Sequence, residues 1–434
     1  MKSIWTDTTT LPHFDKLTGD IKTDVLIIGG GMAGVLCAYA LDRAGENYVL
    51  AEADTVCGGI TKNTTAKITS QHGLIYHKLI REFGSEKAHL YLEANEWALS
   101  EYRRLCRDVD CDFETRDSLV YSLNDNRKIQ DELEALSKLG ANAVFSETPA
   151  LPFDTVGAVR FPDQAQFHPL KFIAAIARDL HIYEHTKVRE LVGNTAVTES
   201  GKIQAKKIIV ATHFPILNKH GMYFVKQYQH RSYVLALENA AKLDGMYLDE
   251  SQTGLSFRNY GKLLLLGGGS HRTGKKGGNW HELKAFAAEH YPAAKIQYRW
   301  ATQDCMTLDG VPYIGAYSKG TPSLLVATGF NKWGMTSSMV AARLLTDAIL
   351  DRENPYAPVF DPARRMLRPQ LAINLGETLI NFVTPTAPRC PHLGCALKWN
   401  PHERSWDCPC HGSRFSENGN LIDNPATGDM KGRP

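Results

Sequence analysis

Two short runs near the end of the chain carry the residue types best suited to holding a metal. Cys390-Pro391-His392-Leu393-Gly394-Cys395 is followed by Cys408-Pro409-Cys410-His411-Gly412-Ser413, with fifteen residues between His392 and Cys408. Four of the nine cysteines therefore fall within 21 residues. Two cysteines and two histidines at C-x-H and C-x-x-H spacing can hold a tetrahedral zinc ion. The same set can hold a two-iron cluster: thiolates suit a ferric iron, and neutral imidazoles suit the iron that takes up an electron. Neutral ligands leave such a cluster less negative than four thiolates would, so its potential rises. The neighbouring Gly394, Cys410, Gly412 and Ser413 favour the cluster.

A second constellation lies at the other end. Gly29-x-Gly31-x-x-Gly34 falls between an apolar run (residues 24–28) and an Ala/Leu-rich stretch (32–44), and Glu52 ends the next apolar run 18 residues after Gly34. In a strand-turn-helix unit Gly29 permits the tight turn, Gly31 admits a pyrophosphate to the backbone, and Gly34 lets helix pack on strand. The helix N-terminus offers unpaired N–H groups to phosphate, and Glu52 can accept from a ribose hydroxyl. The plain alternative is a glycine-rich turn that only packs. Further markers are Gly58-Gly59-Ile60-Thr61, the strand ending Val210-Ala211-Thr212, with His213 where glycine is usual, and Asp309-Gly310-x-Pro312-x-Ile314-Gly315. Last comes Ala327-Thr328-Gly329-Phe330-x-x-Trp333-Gly334-Met335.

With these markers residues 22–350 resemble the FAD enzymes of the glycine oxidase, sarcosine oxidase and D-amino-acid oxidase superfamily. The resemblance implies oxidation of a C–N bond by hydride transfer to FAD, with substrate under a large antiparallel sheet in a second domain that interrupts the first. It implies cofactor contacts at Gly29, Gly31, Gly34, Glu52, Gly58, Gly59, Thr61, Thr64, Thr65, Val188, Thr212, Gly329, Trp333, Gly334 and Met335. Gly334 and Met335 open a helix whose N-terminus can face the flavin's pyrimidine edge. The polar stretch 61–72 would run past the flavin ring, a solvated loop being the alternative, and Lys67 there is a candidate catalytic group. So are His271 and Arg272, the latter as a two-pronged carboxylate ligand; both could equally be surface loop residues. Cys305 stands broadly where sarcosine oxidases attach flavin covalently.

The C-terminal runs resemble the Rieske family. That implies Cys390 and Cys408 on one iron, His392 and His411 on the other, and a disulfide between Cys395 and Cys410. Asn424-Pro425-Ala426 resembles the loop that covers the cluster. Two departures stand out. Phe415 replaces the usual tyrosine, which removes a hydrogen bond and lowers the potential. The module is also short, with few residues before Cys390 to form a base sheet.

The elements that must position these residues follow from pattern and length. The 434 residues predict two to three domains, and 43% hydrophobic with 22% charged residues excludes a disordered or fibrous chain. A net charge of +2 without basic blocks excludes a nucleic-acid partner. The expected fold class is mixed α/β and α+β. A doubly wound FAD-binding domain (1–111, 156–222, 300–350) is interrupted by an antiparallel-sheet substrate domain (112–155, 223–299). A Pro- and Arg-rich linker (351–371) leads to a small all-β Rieske [2Fe-2S] module (372–434). The uncharged stretch Val25–Leu41 is at the short limit for a membrane span and is broken by its glycines. Residues 1–20 lack the apolar core of a secretory signal, so the cytoplasm is expected.

The chain then reads as an amine or amino-acid dehydrogenase whose reduced flavin feeds the cluster. The edge with His392 and His411 would hand electrons to a redox protein or quinone-like acceptor. The alternatives are a glycine- or sarcosine-type oxidase with a vestigial Rieske module, and a non-catalytic electron-transfer flavoprotein.

Overall fold

A computed structural model describes residues 2–147, 150–217, 221–385 and 388–430. Its first sheet grows from the apolar run before Gly29. Strand Ile21–Ile28 is buried along its last four residues, as a central parallel strand covered on both faces must be. It pairs in parallel with Tyr48–Ala51 on one side and Lys202–Val210 on the other, and the latter pairs with Leu324–Thr328. Helices Met32–Arg43 and Gly334–Ile349 pack against each other beside this sheet. A Cβ on Gly34 would lie 1.8 Å from the carbonyl oxygen of Gly29, so only glycine lets the first helix approach the turn.

The second sheet has nine strands and is antiparallel except where Gly245–Asp249 runs parallel to Glu114–Ser122. It extends past the expected limits of 112–155 and 223–299. Strand Gly157–Gln166 pairs with Glu114–Ser122, Lys67–Ile68 joins beyond it, and the last strand, Lys295–Thr307, runs eight residues past 299. An apolar run announces a strand but not the sheet it joins, which is why 156–166 was grouped with the wrong one. Helix Asn279–His290 covers the outer face through Trp280 and Leu283.

The C-terminal module is an antiparallel four-stranded meander, Lys398–Asn400, Ser405–Asp407, Arg414–Ser416 and Leu421–Asp423. Its buried core is seven residues, of which four are the cysteines 390, 395, 408 and 410. So few apolar groups leave a bound metal cluster as the staple of the module. Phe415 is fully buried in this core.

The expected linker is not extended. Arg364 forms a buried ion pair with Asp309 and lies 3.9 Å over the Tyr313 ring. Pro369–Val383 is a helix turned inside out: Asn374 and Asn381 are buried, while Ile373, Leu375, Leu379, Ile380, Phe382 and Val383 are exposed. Among the described residues no helix is long and apolar enough to cross a membrane.

Candidate active site and metal centre

A cavity of about 940 Å³ runs from the glycine turn to the face of the second sheet. Of the expected cofactor contacts, Gly29, Gly31, Glu52, Gly58, Gly59, Thr61, Thr64, Thr65, Val188, Thr212, Gly329, Trp333, Gly334 and Met335 line it; Gly34, within the first turn of the helix, packs against Gly29 instead. The Thr61 hydroxyl accepts from Met32 N–H at the helix N-terminus (3.0 Å), and Glu52 accepts from Gly30 N–H (2.6 Å) and Asp54 N–H (2.9 Å). Burial, opposed by these donors, raises the Glu52 carboxyl above its ordinary range. Trp333 stacks on His72 at 4.9 Å, 13° from parallel. The volume, the cradle that a Cβ would fill and the acid at the strand end fit a dinucleotide.

Lys67 also lines the cavity, and burial together with the positive charge of Arg258 lowers its ammonium to about 7. Arg258 had no sequence signal. It is fully buried and donates to the carbonyls of Thr65 and Ala66, both at 2.8 Å, which fixes the 64–67 stretch. Asp304, Lys332, Ser232 and Ser270 line the cavity too and were not foreseen. Cys305 is not among the lining residues; its thiol sits against the Thr328 hydroxyl, and burial pushes it up to about 12.

His271 and Arg272 depart from expectation. Side chains alternate along Leu263–Arg272, so Gly268 and Ser270 meet the cavity while His271 points to the other face. There His271 bonds the Tyr233 hydroxyl at 3.0 Å. Arg272 ends the strand and reaches the C-terminal module, donating to Pro409 O and Cys410 O (both 3.2 Å) and Asn374 Oδ1 (3.0 Å). Its donors hold a cluster loop, so the structure does not aim it at a substrate carboxylate.

The two metal loops fold back to back. Cys390 N–H donates to Cys395 O, Gly394 N–H to Cys390 O, Cys408 N–H to Ser413 O and Gly412 N–H to Cys408 O, each at 2.9 Å. The sulphurs of Cys395, Cys408 and Cys410 lie within 4.8 Å of one another. Hydrogen bonds from Cys390, Cys395 and Cys410 hold the Cys408 thiol far below its usual range, as suits a thiolate ligand. The rings of His392 and His411 are 4.9 Å apart, and both ring nitrogens of His411 are buried without a hydrogen bond among the described residues. Burial and the neighbouring His411 lower His392 to about 3, so its imidazole is available as a neutral ligand. This donor set fits the cluster. Cys395 and Cys410, expected as a disulfide, are recorded in this structure as free thiols like the other seven cysteines.

The module docks on the second sheet. Gln229 donates to His411 O (3.1 Å) and Asn424 O (3.0 Å), Gln303 donates to Gly412 O (2.9 Å), and Asn424 donates to Thr212 O (2.5 Å) and Phe214 O (2.9 Å). A buried ionic cluster adds to this. Arg231 pairs with Glu403, which also accepts from Arg414 (2.9 Å) and the Tyr233 hydroxyl (3.0 Å). His411 is 1% exposed, with its ring 6.1 Å from Phe224, so it faces the flavin-binding body and not an outside acceptor.

Comparison with known proteins agrees with this geometry. The family of FAD dependent oxidoreductases (DAO) matches residues 24–348, and the Rieske [2Fe-2S] domain matches residues 382–434. The protein YhfW of Bacillus subtilis (strain 168), described as a Rieske 2Fe-2S iron-sulfur protein, is 36% identical over 493 aligned residues. That alignment covers 99% of this chain and 97% of YhfW. The glycine oxidase of Geobacillus kaustophilus superposes with a TM-score of 0.66 at 18% identity, covering 79% of this chain and 99% of the oxidase. The L-proline dehydrogenase of P. horikoshii gives 0.66 at 16%, covering 80% and 98%. The chain belongs to the DAO family of FAD-dependent oxidoreductases and carries a Rieske [2Fe-2S] domain at its C-terminal end.

Proposed function

We propose that the protein is a dehydrogenase of an amine or amino acid, which passes electrons from its flavin to the Rieske cluster and on to an external acceptor. One observation carries the reading. On strands Gln227–Glu238 and Lys295–Thr307, Tyr228, Ser232, Thr302, Asp304 and Met306 face the cavity. The residues between them, Gln229, Arg231 and Gln303, bond the cluster-bearing module. The strands that wall the cavity thus also carry the module, and module residues Ile422, Asn424 and Ala426 line the cavity directly, which gives electrons a short internal route. FAD, when bound, supplies a hydride acceptor, and the cluster supplies a carrier of single electrons. The chain's own part is to cradle the pyrophosphate at Gly29 and Gly31, to fix the 64–67 stretch through Arg258, and to keep water out.

Two of the similar structures are a glycine oxidase and an L-proline dehydrogenase, which supports an amino-acid substrate. Electrons would leave on the side of His392, which is half-buried. Leu393 beside it is 37% exposed, and the exposed Phe382 and Leu379 of the inverted helix lie on the same side. We take that apolar face as the dock of a redox protein or quinone-like acceptor, in the cytoplasm. The test is steady-state oxidation of glycine, N-methylglycine and L-proline, comparing peroxide release with ferricyanide reduction in the parent and in Cys408→Ser. Ferricyanide reduction lost in the variant supports the reading. Equal peroxide release in both favours an oxidase, and no turnover of any amine favours a non-catalytic electron-transfer protein.

A further inference from the structure

One charged group in the cavity has no partner. Asp304 alternates with Gln303 and Cys305, so its carboxylate faces the cavity together with Thr302 and Met306. Among the described residues it makes no hydrogen bond and no ion pair within 4.0 Å; only the fields of Lys332 and Arg231 reach it. Both cations are engaged elsewhere. Lys332 donates to Gln252 O (3.0 Å) and the Ser270 hydroxyl (3.5 Å), and Arg231 is held by Glu403. His230 stands directly opposite Asp304 on the neighbouring strand, and burial with nearby Lys332, His271 and Arg272 lowers it to about 3, so it is neutral there. The Thr302 hydroxyl is likewise buried without a partner. Asp304 is half-buried and open to the cavity, so a cationic ligand entering there would give the carboxylate the close partner it lacks.

We infer that Asp304 binds the ammonium group of the substrate and takes the proton that must leave nitrogen before the neighbouring carbon can give up a hydride. This rests on the C–N reading above and adds a general base to it. The step is a proton transfer without redox change. One N–H bond of R–NH3+ breaks, one O–H bond forms on the carboxylate, and the ammonium and carboxylate charges are both neutralised. The nitrogen lone pair is then free to stabilise the cation that hydride loss creates. Burial raises the Asp304 carboxyl to about 6 against the opposing pull of Lys332 and Arg231, which suits a base working near neutrality.

The test uses the FAD-loaded protein, anaerobically, with L-proline, glycine and N-methylglycine as probes and their amine-free counterparts tetrahydrofuran-2-carboxylate and acetate as controls. Dissociation constants are read from the perturbation of flavin absorbance, and flavin reduction rates at saturation are followed from pH 6 to 10. Asp304→Asn is expected to weaken the amines about tenfold to hundredfold, the worth of one charge-assisted hydrogen bond, and to leave the amine-free acids unchanged. Its reduction rate should rise about tenfold per pH unit as solvent supplies the free amine, whereas the parent levels off above about 6. Asp304→Glu should restore part of both, and flavin content should match the parent in each variant. Equal losses for amines and amine-free acids, or an unchanged pH profile, overturn the inference. If no amine perturbs the parent, the C–N reading itself fails and takes this step with it. If amines reduce parent and Asp304→Asn alike, only the role of Asp304 falls.

Discussion

Glutamine in place of Glu403 keeps the shape of the side chain and removes one charge from the interface between module and flavin-binding body. Glu403 sits in the turn between two module strands, with its side chain 6% exposed between Arg231 of the second sheet and Arg414 of the module. These two guanidinium groups, with the Tyr233 hydroxyl, hold its carboxyl at about 2 against an ordinary 4.5. That displacement corresponds to about 3 kcal/mol favouring the charged, docked form. Breaking a buried ion pair by removing one partner costs about 3–5 kcal/mol, so two routes give the same size. The sign follows from linkage. A carboxyl depressed on folding stabilises fully above 4.5 and loses that contribution as pH falls towards 2, leaving about 1 kcal/mol at pH 3. Urea unfolding of the holoprotein, followed by tryptophan fluorescence, should show Glu403→Gln less stable by about 3 kcal/mol at pH 7, with the gap closing at pH 3. A difference under about 0.5 kcal/mol at pH 7, the level of an exposed pair, would refute the reasoning.

Gly34→Ala places a Cβ 1.8 Å from the Gly29 carbonyl oxygen, so the first helix must shift. The overpacking costs about 1–3 kcal/mol, and the purified variant should carry little FAD by absorbance, with the cluster retained. Arg272→Met removes the donors to Pro409 O and Cys410 O, so cluster reduction should slow while the flavin-perturbation Kd for amines stays at the parent value. A weakened Kd with normal cluster reduction would return Arg272 to the substrate. Lys67 is charged below about 7 and neutral above it, so the parent flavin spectrum should shift on titration through pH 7 and that of Lys67→Met should not. We retain the Cys395–Cys410 disulfide as a proposal, both sulphurs lying beside Cys408. Alkylation of the unreduced protein followed by peptide mass spectrometry should find the two linked, and alkylation of both would exclude the bond.

The cofactor turn and the metal loops were legible because their chemistry is local. Gly29, Gly31 and Gly34 act within one turn, and Cys390–Cys395 and Cys408–Ser413 are each a single loop, so spacing alone carries the geometry. His271 and Arg272 misled because they follow the cavity-lining Gly268 and Ser270 in sequence, yet strand alternation turns His271 away and the end of the strand frees Arg272 to cross to the module. Arg258, Asp304 and Lys332 were invisible for the opposite reason. Each stands amid ordinary strand or turn residues, and only tertiary packing buries Arg258 behind the 64–67 stretch and brings Asp304 and Lys332 to the cavity. The helix Pro369–Val383 is a third case. Its apolar spacing fits a buried face, but Asn374 takes the inner side through its bond to Val225 O, and Asn381 is buried with its amide turned back on Glu377 O of the same helix.

The central claim is that electrons pass from flavin to cluster within one chain. Freeze-quench EPR of the holoprotein, mixed anaerobically with an amine that bleaches its flavin, tests this most directly. The account predicts that the low-average-g signal of a reduced His-ligated cluster rises as reduced flavin is drawn down. It also predicts that the rate does not depend on protein concentration. Flavin that bleaches fully while the cluster stays silent, or a cluster signal whose rate grows with protein concentration, would contradict it.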